Sequence, residues 1–152
     1  MSCPFCDTRI ADAVFARSEN FLAVYNIAPI FPGHSLVIPR NHIESIMDLE
    51  EEKLTEMMVF SKKVTHLLLR VFKAESFNWS LQDKEAAGQT IAHLHMHIVP
   101  RLTGDLPDPG DWYPKIMKNY GEILDSASRA KLTSDEMIRI VSKLRKEGSE
   151  DF

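Results

Sequence analysis

Residues 93–99 read His-Leu-His-Met-His-Ile-Val and alternate polar and apolar side chains up to Pro100. Such alternation is typical of a β-strand with one buried face, because successive side chains point to opposite sides of a sheet. We therefore predict a strand over 91–99. Its apolar members, which should face the core, are Leu94, Met96 and Ile98. Its polar members, which should form a row on the other face about 6 to 7 Å apart, are His93, His95 and His97.

Three imidazoles on one face indicate chemistry, because a ring with a pKa near 6.5 is largely neutral and nucleophilic at pH 7. Such a row could transfer protons, attack an electrophile or bind a metal ion. One histidine on a strand is more often an ordinary surface or core residue. At this point the sequence favours a site and leaves catalysis and metal binding both open.

Length and charge narrow the possible partners. The 152 residues suit one ordinary domain, which we predict over 1–152. Net charge is -4, from 18 basic and 22 acidic residues, and this disfavours DNA or RNA polymers, whose binding relies on basic surfaces. No apolar stretch approaches the roughly 18 residues of a membrane span, and no signal-like segment begins the chain. We expect a cytoplasmic protein that binds neither nucleic-acid polymers nor membranes.

Periodicity and capping residues predict the remaining elements. Apolar residues at helical spacing predict a long helix over 50–72, with Asp48 as its N-cap. Thr133 and Glu136 have capping-box spacing and predict a C-terminal helix. The predicted strands are 12–17, 21–27, 35–38, 77–82 and 91–99. This order indicates an α+β fold, a five-stranded antiparallel sheet with the long helix packed on it and a second helix at the C-terminus.

The alternating segment resembles the signature of the histidine triad family, His-φ-His-φ-His-φ-φ with φ hydrophobic. Upstream, Leu-Gln-Asp at 81–83 and Ala-Gly-Gln-Thr-Ile at 87–91 are similar to the fragile histidine triad (Fhit) branch, the dinucleoside polyphosphate hydrolases. The resemblance covers residues 10–105. It implies the histidine triad fold, a homodimer and a nucleotide hydrolase that releases AMP through a covalent nucleotidyl-histidine.

The resemblance also implies roles for individual residues. His95 matches the nucleophile, His97 the residue that contacts the phosphate, and His93 the triad member that helps to fix the tautomer of the nucleophile. His34 matches a further histidine close to the triad. The implied nucleotide-binding residues are Asn26 at the ribose, Gln82 at the phosphate, Thr90 at the leaving group, and Gly88, Gln89, Ile91 and His97.

Two other functions stay open at this stage. A nucleotidyl transferase like the galactose-1-phosphate uridylyltransferases shares the His-x-His core, but those enzymes carry glutamine where His97 stands. A non-catalytic nucleotide sensor or interaction protein would need the same binding residues as the hydrolase. All three functions take a small nucleotide as the ligand.

Cys3 and Cys6 form a C-x-x-C pair, which is half of a metal site or a redox pair. The pair resembles the N-terminal C-x-x-C of many prokaryotic histidine triad proteins, some of which hold a structural zinc. By position, that resemblance implies Cys3, Cys6, His42 and His93 as zinc ligands; free thiols are the alternative. Metal ligation by His93 competes with its holding a proton toward His95. We expect no organic cofactor.

Overall fold

Five antiparallel strands form one sheet in the computed structural model, which describes residues 2–116 and 131–152. The strands are β1 Val14–Arg17, β2 Phe21–Tyr25, β3 Ser35–Pro39, β4 Ser76–Leu81 and β5 Met96–Arg101. Their order across the sheet is β1-β2-β3-β5-β4, so β5 lies between β3 and the edge strand β4. The helices are α1 Glu51–Phe72, α2 Tyr113–Ile116 and α3 Ser134–Glu147. The predicted α+β fold is confirmed.

Helix α1 packs its apolar stripe against the sheet. Each fully buried side chain stabilises the fold by about 1.5–3 kcal/mol relative to exposure. Those of the stripe are Met57, Val64, Leu67 and Leu68. The prediction of Asp48 as the N-cap is wrong, because Asp48 ends a short 3-10 helix that Ser45 caps, and α1 begins only after Glu50. The Asp83 carboxylate fixes this extra turn by accepting hydrogen bonds from Ser45 Oγ and Ile46 N, both at 2.9 Å.

The boundaries of β5 differ from the predicted 91–99, with consequences for the histidines. The backbone leaves the sheet ladder before Met96, because Leu94 N–H donates to the carbonyl of Ile43 (2.6 Å), which lies outside the sheet. At the other end the strand continues through Pro100. Strand β3 pairs with β5 only as far as Ile98, so β5 has one neighbouring strand at Pro100 and tolerates a missing backbone N–H there. The expected burial of Leu94, Met96 and Ile98 is confirmed.

Gly33 brings the chain into β3 and places His34 immediately before that strand. Its φ of +92° is in the left-handed region that favours glycine, and a Cβ there would lie 2.7 Å from Pro100 Cγ and 2.9 Å from Phe72 Cδ2. Its N–H donates to Tyr25 Oη at 2.9 Å. This close packing holds His34 fully buried against the end of β5.

Helix α3 covers the edge strand β1. Thr133 and Glu136 form the predicted capping box, and the Arg145 guanidinium donates to the carbonyl of Val14 at 2.9 Å. The start of the helix is fixed to the end of β2 by a hydrogen bond from Leu132 N to Ile27 O, 2.8 Å long. None of the described helices is long and apolar enough to cross a membrane. The single domain over 1–152 stays a prediction, since residues 117–130 lie outside the described part.

Candidate active site

A cavity of about 750 Å³ lies beside the ends of β2, β3 and β5. Its volume is in the range of small-molecule sites. The predicted nucleotide-binding residues that line it are Asn26, Gln82, Gly88, Thr90, Ile91 and His97. The nucleophile implied by the family resemblance, His95, lines it as well. Among the described residues, its charged lining residues are Asp7, Arg9 and Asp12 of the N-terminal segment, and Asp7 and Arg9 pair with each other.

His95 is held in one tautomer by the backbone of His93. Its Nδ1 lies 2.8 Å from the His93 carbonyl oxygen, which can only accept a hydrogen bond, so Nδ1 carries the hydrogen. The other nitrogen, Nε2, then has its lone pair in the ring plane. Burial lowers the pKa of His95, while the bond to the His93 carbonyl opposes that shift. The ring is therefore neutral at pH 7, with Nε2 able to act as a nucleophile.

A hydrogen-bonded chain sets the tautomer of His97. The N–H of Ile30 donates to His34 Nδ1 at 3.2 Å, so in a neutral His34 ring the hydrogen is on Nε2. That Nε2 lies 2.9 Å from His97 Nδ1 and donates to it. His97 consequently carries its own hydrogen on Nε2. Since the ring centroids of His95 and His97 are 5.2 Å apart, a nucleophilic nitrogen and a hydrogen-bond donor meet in one cavity.

The predicted row of three imidazoles is wrong for His93. Its ring is fully buried and faces the N-terminal cysteines instead of the cavity, because the backbone departs from the sheet ladder before Met96. His93 still contacts His95, but through its carbonyl oxygen and not through its ring. The two functions that the resemblance implies for His93 would therefore use different atoms of this residue, the carbonyl oxygen toward His95 and the ring toward the cysteines.

Cys3, Cys6, His42 and His93 form a compact group, which we call the quartet. One ligand atom from each side chain lies within 4.8 Å of all the others. Cys3 Sγ is 3.4 Å from His93 Nδ1, and Cys6 Sγ is 3.5 Å from Nδ1 of both His42 and His93. These are the four residues that the sequence implied as metal ligands, brought together from three separate segments.

The spacing of the quartet fits a tetrahedral ion. With Zn–S of about 2.3 Å and Zn–N of about 2.05 Å, a tetrahedron places sulfur and nitrogen ligands about 3.6 Å apart. His93 is also prepared as a ligand, because its Nε2 donates to the Pro39 carbonyl at 2.9 Å and thereby leaves Nδ1 unprotonated. Two thiols and two imidazoles are a common ligand set for structural zinc.

Three of the predicted catalytic and nucleotide-binding residues lie outside the cavity wall, namely His93, whose ring faces the quartet, His34 and Gln89. His34 is behind His97, as described above. Gln89 does not line the cavity in this conformation, because its amide accepts from Lys84 N and donates to the Glu44 carbonyl (3.0 Å). Gly88 lines the cavity, but its N–H donates to Glu85 O at 2.9 Å. Thr90 and Ile91 line the cavity, and their backbone N–H groups donate to no described residue, so they are potential donors.

Several cavity residues were missed from the sequence. Phe5 lies between Cys3 and Cys6 in the sequence. Because the predicted metal site brings both cysteines to His93, the position of Phe5 near the histidines could have been inferred. Leu132 and Met137 are supplied by the C-terminal helix, and no local pattern in the sequence indicates which residues its N-terminal end will contact. The N-terminal Ile10 completes the apolar wall.

Comparison with known proteins gives a consistent result. The family model described as the HIT domain matches residues 7–104. The asymmetrical bis(5'-nucleosyl)-tetraphosphatase of Schizosaccharomyces pombe is 36% identical over 114 residues, covering 75% of this chain and 63% of the yeast protein. This chain therefore spans less than two thirds of the length of that relative. The bis(5'-adenosyl)-triphosphatase of Dictyostelium discoideum is 30% identical over 105 residues, covering 69% of this chain and 70% of that protein.

A solved structure of a zinc-bound protein also matches this chain. The crystal structure of a zinc-bound histidine triad family protein from Mycobacterium smegmatis superimposes with a TM-score of 0.64 at 25% identity. The match covers 96% of this chain and 97% of the mycobacterial protein. The likeness extends over nearly the full length of both chains and concerns a protein that carries zinc.

Proposed function

We propose that this chain, which belongs to the histidine triad (HIT) family, hydrolyses dinucleoside polyphosphates and releases a nucleoside monophosphate such as AMP. The observation that carries the proposal is the neutral His95, whose Nε2 is available beside the Nε2–H of His97 in one cavity. The names of the yeast and Dictyostelium relatives, a tetraphosphatase and a triphosphatase, support this substrate class.

In the first step, His95 Nε2 attacks the phosphorus next to one nucleoside. An N–P bond forms while the bond from phosphorus to the bridging oxygen breaks, and the remaining nucleotide departs with that electron pair. A terminal phosphate has a pKa near 6, so the departing group needs no proton at pH 7. Positive charge develops on the ring of His95, and the His93 carbonyl at 2.8 Å stabilises it.

Uncharged donors would hold the phosphate during this step. His97 Nε2–H donates to a non-bridging oxygen, and the tautomer chain from Ile30 through His34 keeps that hydrogen in place. The backbone N–H groups of Thr90 and Ile91 lie in the same wall and suit an anion without adding net charge. Thr90 Oγ is assigned to the leaving group, in keeping with its family position.

In the second step, water attacks the same phosphorus from the side that the leaving group has vacated. The N–P bond breaks, its electron pair returns to Nε2, and the attacking water releases a proton to solvent. The nucleoside monophosphate then leaves the regenerated neutral His95. Dividing the reaction through a phosphoramidate replaces one difficult displacement by two easier ones. Each step uses the same donors, because the phosphoryl oxygens stay in one place.

The ribose and the base of the nucleoside are assigned to different parts of the cavity wall. Asn26 is buried, and its Oδ1 accepts from Ala28 N at 2.9 Å, which fixes the amide for the ribose contact implied by the family. The base is assigned to the apolar wall, which is formed by Phe5, Ile10, Val24, Leu36, Leu132 and Met137.

The hydrolase is tested by incubating the chain with diadenosine triphosphate and tetraphosphate and separating the products. We expect AMP together with ADP or ATP. His95→Ala should lower kcat by roughly 10⁴-fold or more, because the covalent route is lost. His66→Ala, an exposed histidine on α1, is the matched control and should keep full turnover. Unchanged turnover in His95→Ala would exclude His95 as the nucleophile.

The same assay separates the alternatives. Tight AMP binding without turnover of either substrate would favour a nucleotide sensor. Transfer of the nucleotidyl group to an added phosphate or sugar phosphate in preference to water would favour a transferase.

We further propose that the quartet holds a structural zinc ion. Zinc would join the N-terminal tetrapeptide to the segment around His42 and to His93, and thereby close one end of the cavity. The ion itself takes no part in the chemistry at phosphorus. Support comes from the tetrahedral spacing of the four ligand atoms and from the zinc-bound mycobacterial structure.

Zinc content can be measured on protein purified without a metal-affinity step. We expect one equivalent in the unaltered chain and in His66→Ala, and a large loss in Cys6→Ser. Removing zinc with a chelator should lower Tm, since a ligand present at about 1,000 times its Kd stabilises the native state by about 4 kcal/mol. A metal-free chain with an unaltered Tm after chelation would contradict the proposal.

The homodimer implied by the family stays a prediction, which we place on the edge strand β4. Among the described residues β4 pairs only with β5, and its Phe77 side chain is 43% exposed. An unpaired edge of this kind can add a strand from a second copy. Light scattering would then give twice the mass of the chain; a monomer at all concentrations would contradict it.

A further inference from the structure

Phe5 contacts both the quartet and the proposed nucleophile. Its ring centroid lies 5.5 Å from that of His93 and 5.4 Å from that of His95, with interplanar angles of 89° and 67°. Both contacts have the edge-to-face geometry that aromatic rings prefer. Phe5 also lines the cavity, so one side chain connects a candidate metal ligand, the attacking ring and the space for the substrate.

The ring of His95 needs support beyond its hydrogen bond. The bond from Nδ1 to the His93 carbonyl fixes one ring nitrogen but still allows the ring to tilt about that point. Contact with His97, at 5.2 Å between centroids and 70° between planes, limits the tilt in one direction. Phe5 supplies the other ring contact. Loss of such alignment is costly, because a displacement of about 1 Å can lower a rate by roughly 100-fold.

The position of Phe5 depends in turn on the cysteines. Residues 3–6 form a turn closed by Cys6 N–H donating to Cys3 O at 3.1 Å. Among the described residues, this tetrapeptide makes no hydrogen bond to the rest of the chain except through its two sulfur atoms, which contact His42 and His93. Thiol–imidazole contacts are weak, whereas metal–thiolate bonds would fix the turn, and with it Phe5.

We infer that Phe5 is a positioning residue for His95, and that metal binding by the quartet orients the nucleophile through Phe5. The inference rests on the proposed function for the identity of the nucleophile. It gives the metal a consequence for turnover although the ion contacts neither the substrate nor His95. The N-terminal tetrapeptide thus acts as part of the active site.

Three variants of the zinc-loaded chain separate the ring contact from apolar volume. Phe5→Leu keeps most of the volume and removes the ring, while Phe5→Tyr keeps the ring. Ile10→Ala is the control, since Ile10 lines the same cavity and packs against the same apolar cluster as Phe5 but has no aromatic ring. The readouts are the ¹⁵N signals of the His95 ring, zinc content, and kcat and KM measured separately.

We expect Phe5→Leu to retain its zinc, to broaden or double the His95 Nε2 signal, and to lower kcat by about 10- to 100-fold. KM should rise by less than kcat falls, because Leu keeps most of the apolar volume that Phe5 gives to the wall assigned to the base. Phe5→Tyr should restore a single sharp signal and most of kcat. Ile10→Ala should raise KM and leave the His95 signal single. If Phe5→Leu does not fold, Phe5→Met replaces it.

Removing zinc from the unaltered chain and from Phe5→Leu tests whether the quartet acts through Phe5. Stripping zinc from the unaltered chain should broaden His95 as Phe5→Leu does, and stripping Phe5→Leu should add no further change. An unaltered His95 signal and kcat in Phe5→Leu would overturn the inference. So would an undiminished zinc effect in that variant, because the metal would then act directly through His93. If the unaltered chain turns over no substrate, the proposed function fails while the NMR comparison still decides the role of Phe5.

Discussion

The hydrogen bond from His95 Nδ1 to the carbonyl of His93 is the interaction on which the proposed site depends. A carbonyl can only accept, so this one contact fixes both the tautomer of His95 and the availability of Nε2. This bond uses only the backbone of His93, so the ring of His93 can belong to the quartet. There Nε2–H donates to Pro39 O, and Nδ1 faces the two cysteines. His93 would therefore orient the proposed nucleophile with its backbone and ligate the proposed zinc ion with its side chain.

The site relies on tautomers and orientation instead of charge. Among the described residues, Arg9 is the one basic side chain that lines the cavity, and it already pairs with Asp7 at 2.8 Å. In the proposed function, phosphate binding therefore depends on directed N–H groups, which bind an anion well only when they point at it. The proposed function thus gives a reason for the two arrangements that orient the rings, namely the hydrogen-bonded chain through His34 and the contact of Phe5 with His95.

Much of this could be predicted from the sequence, and the exceptions have physical causes. Alternation and helical periodicity identified the five strands, the long helix and the burial of Leu94, Met96 and Ile98. They could do so because an element with one buried face needs apolar residues at its own period, which is visible in the sequence. The row of three histidines was wrong because a tertiary hydrogen bond, Leu94 N to Ile43 O, removes the backbone from the ladder. The cap at Asp48 was wrong for a similar reason, since Asp83 holds an extra turn before α1. The residues of the quartet were predicted from the family resemblance. Phe5 was missed because its contacts with His93 and His95 depend on the tertiary structure and leave no pattern in the sequence.

The central claim, that His95 Nε2 forms a bond to phosphorus, is tested most directly by trapping the intermediate. The chain is mixed with diadenosine triphosphate, quenched within a turnover under conditions that preserve phosphoramidates, and analysed by intact and peptide mass spectrometry. The account predicts a mass increase of one adenylyl group located on His95 and absent from His95→Ala. Rapid turnover with no adduct at any quench time, or an adduct on another residue, would contradict it.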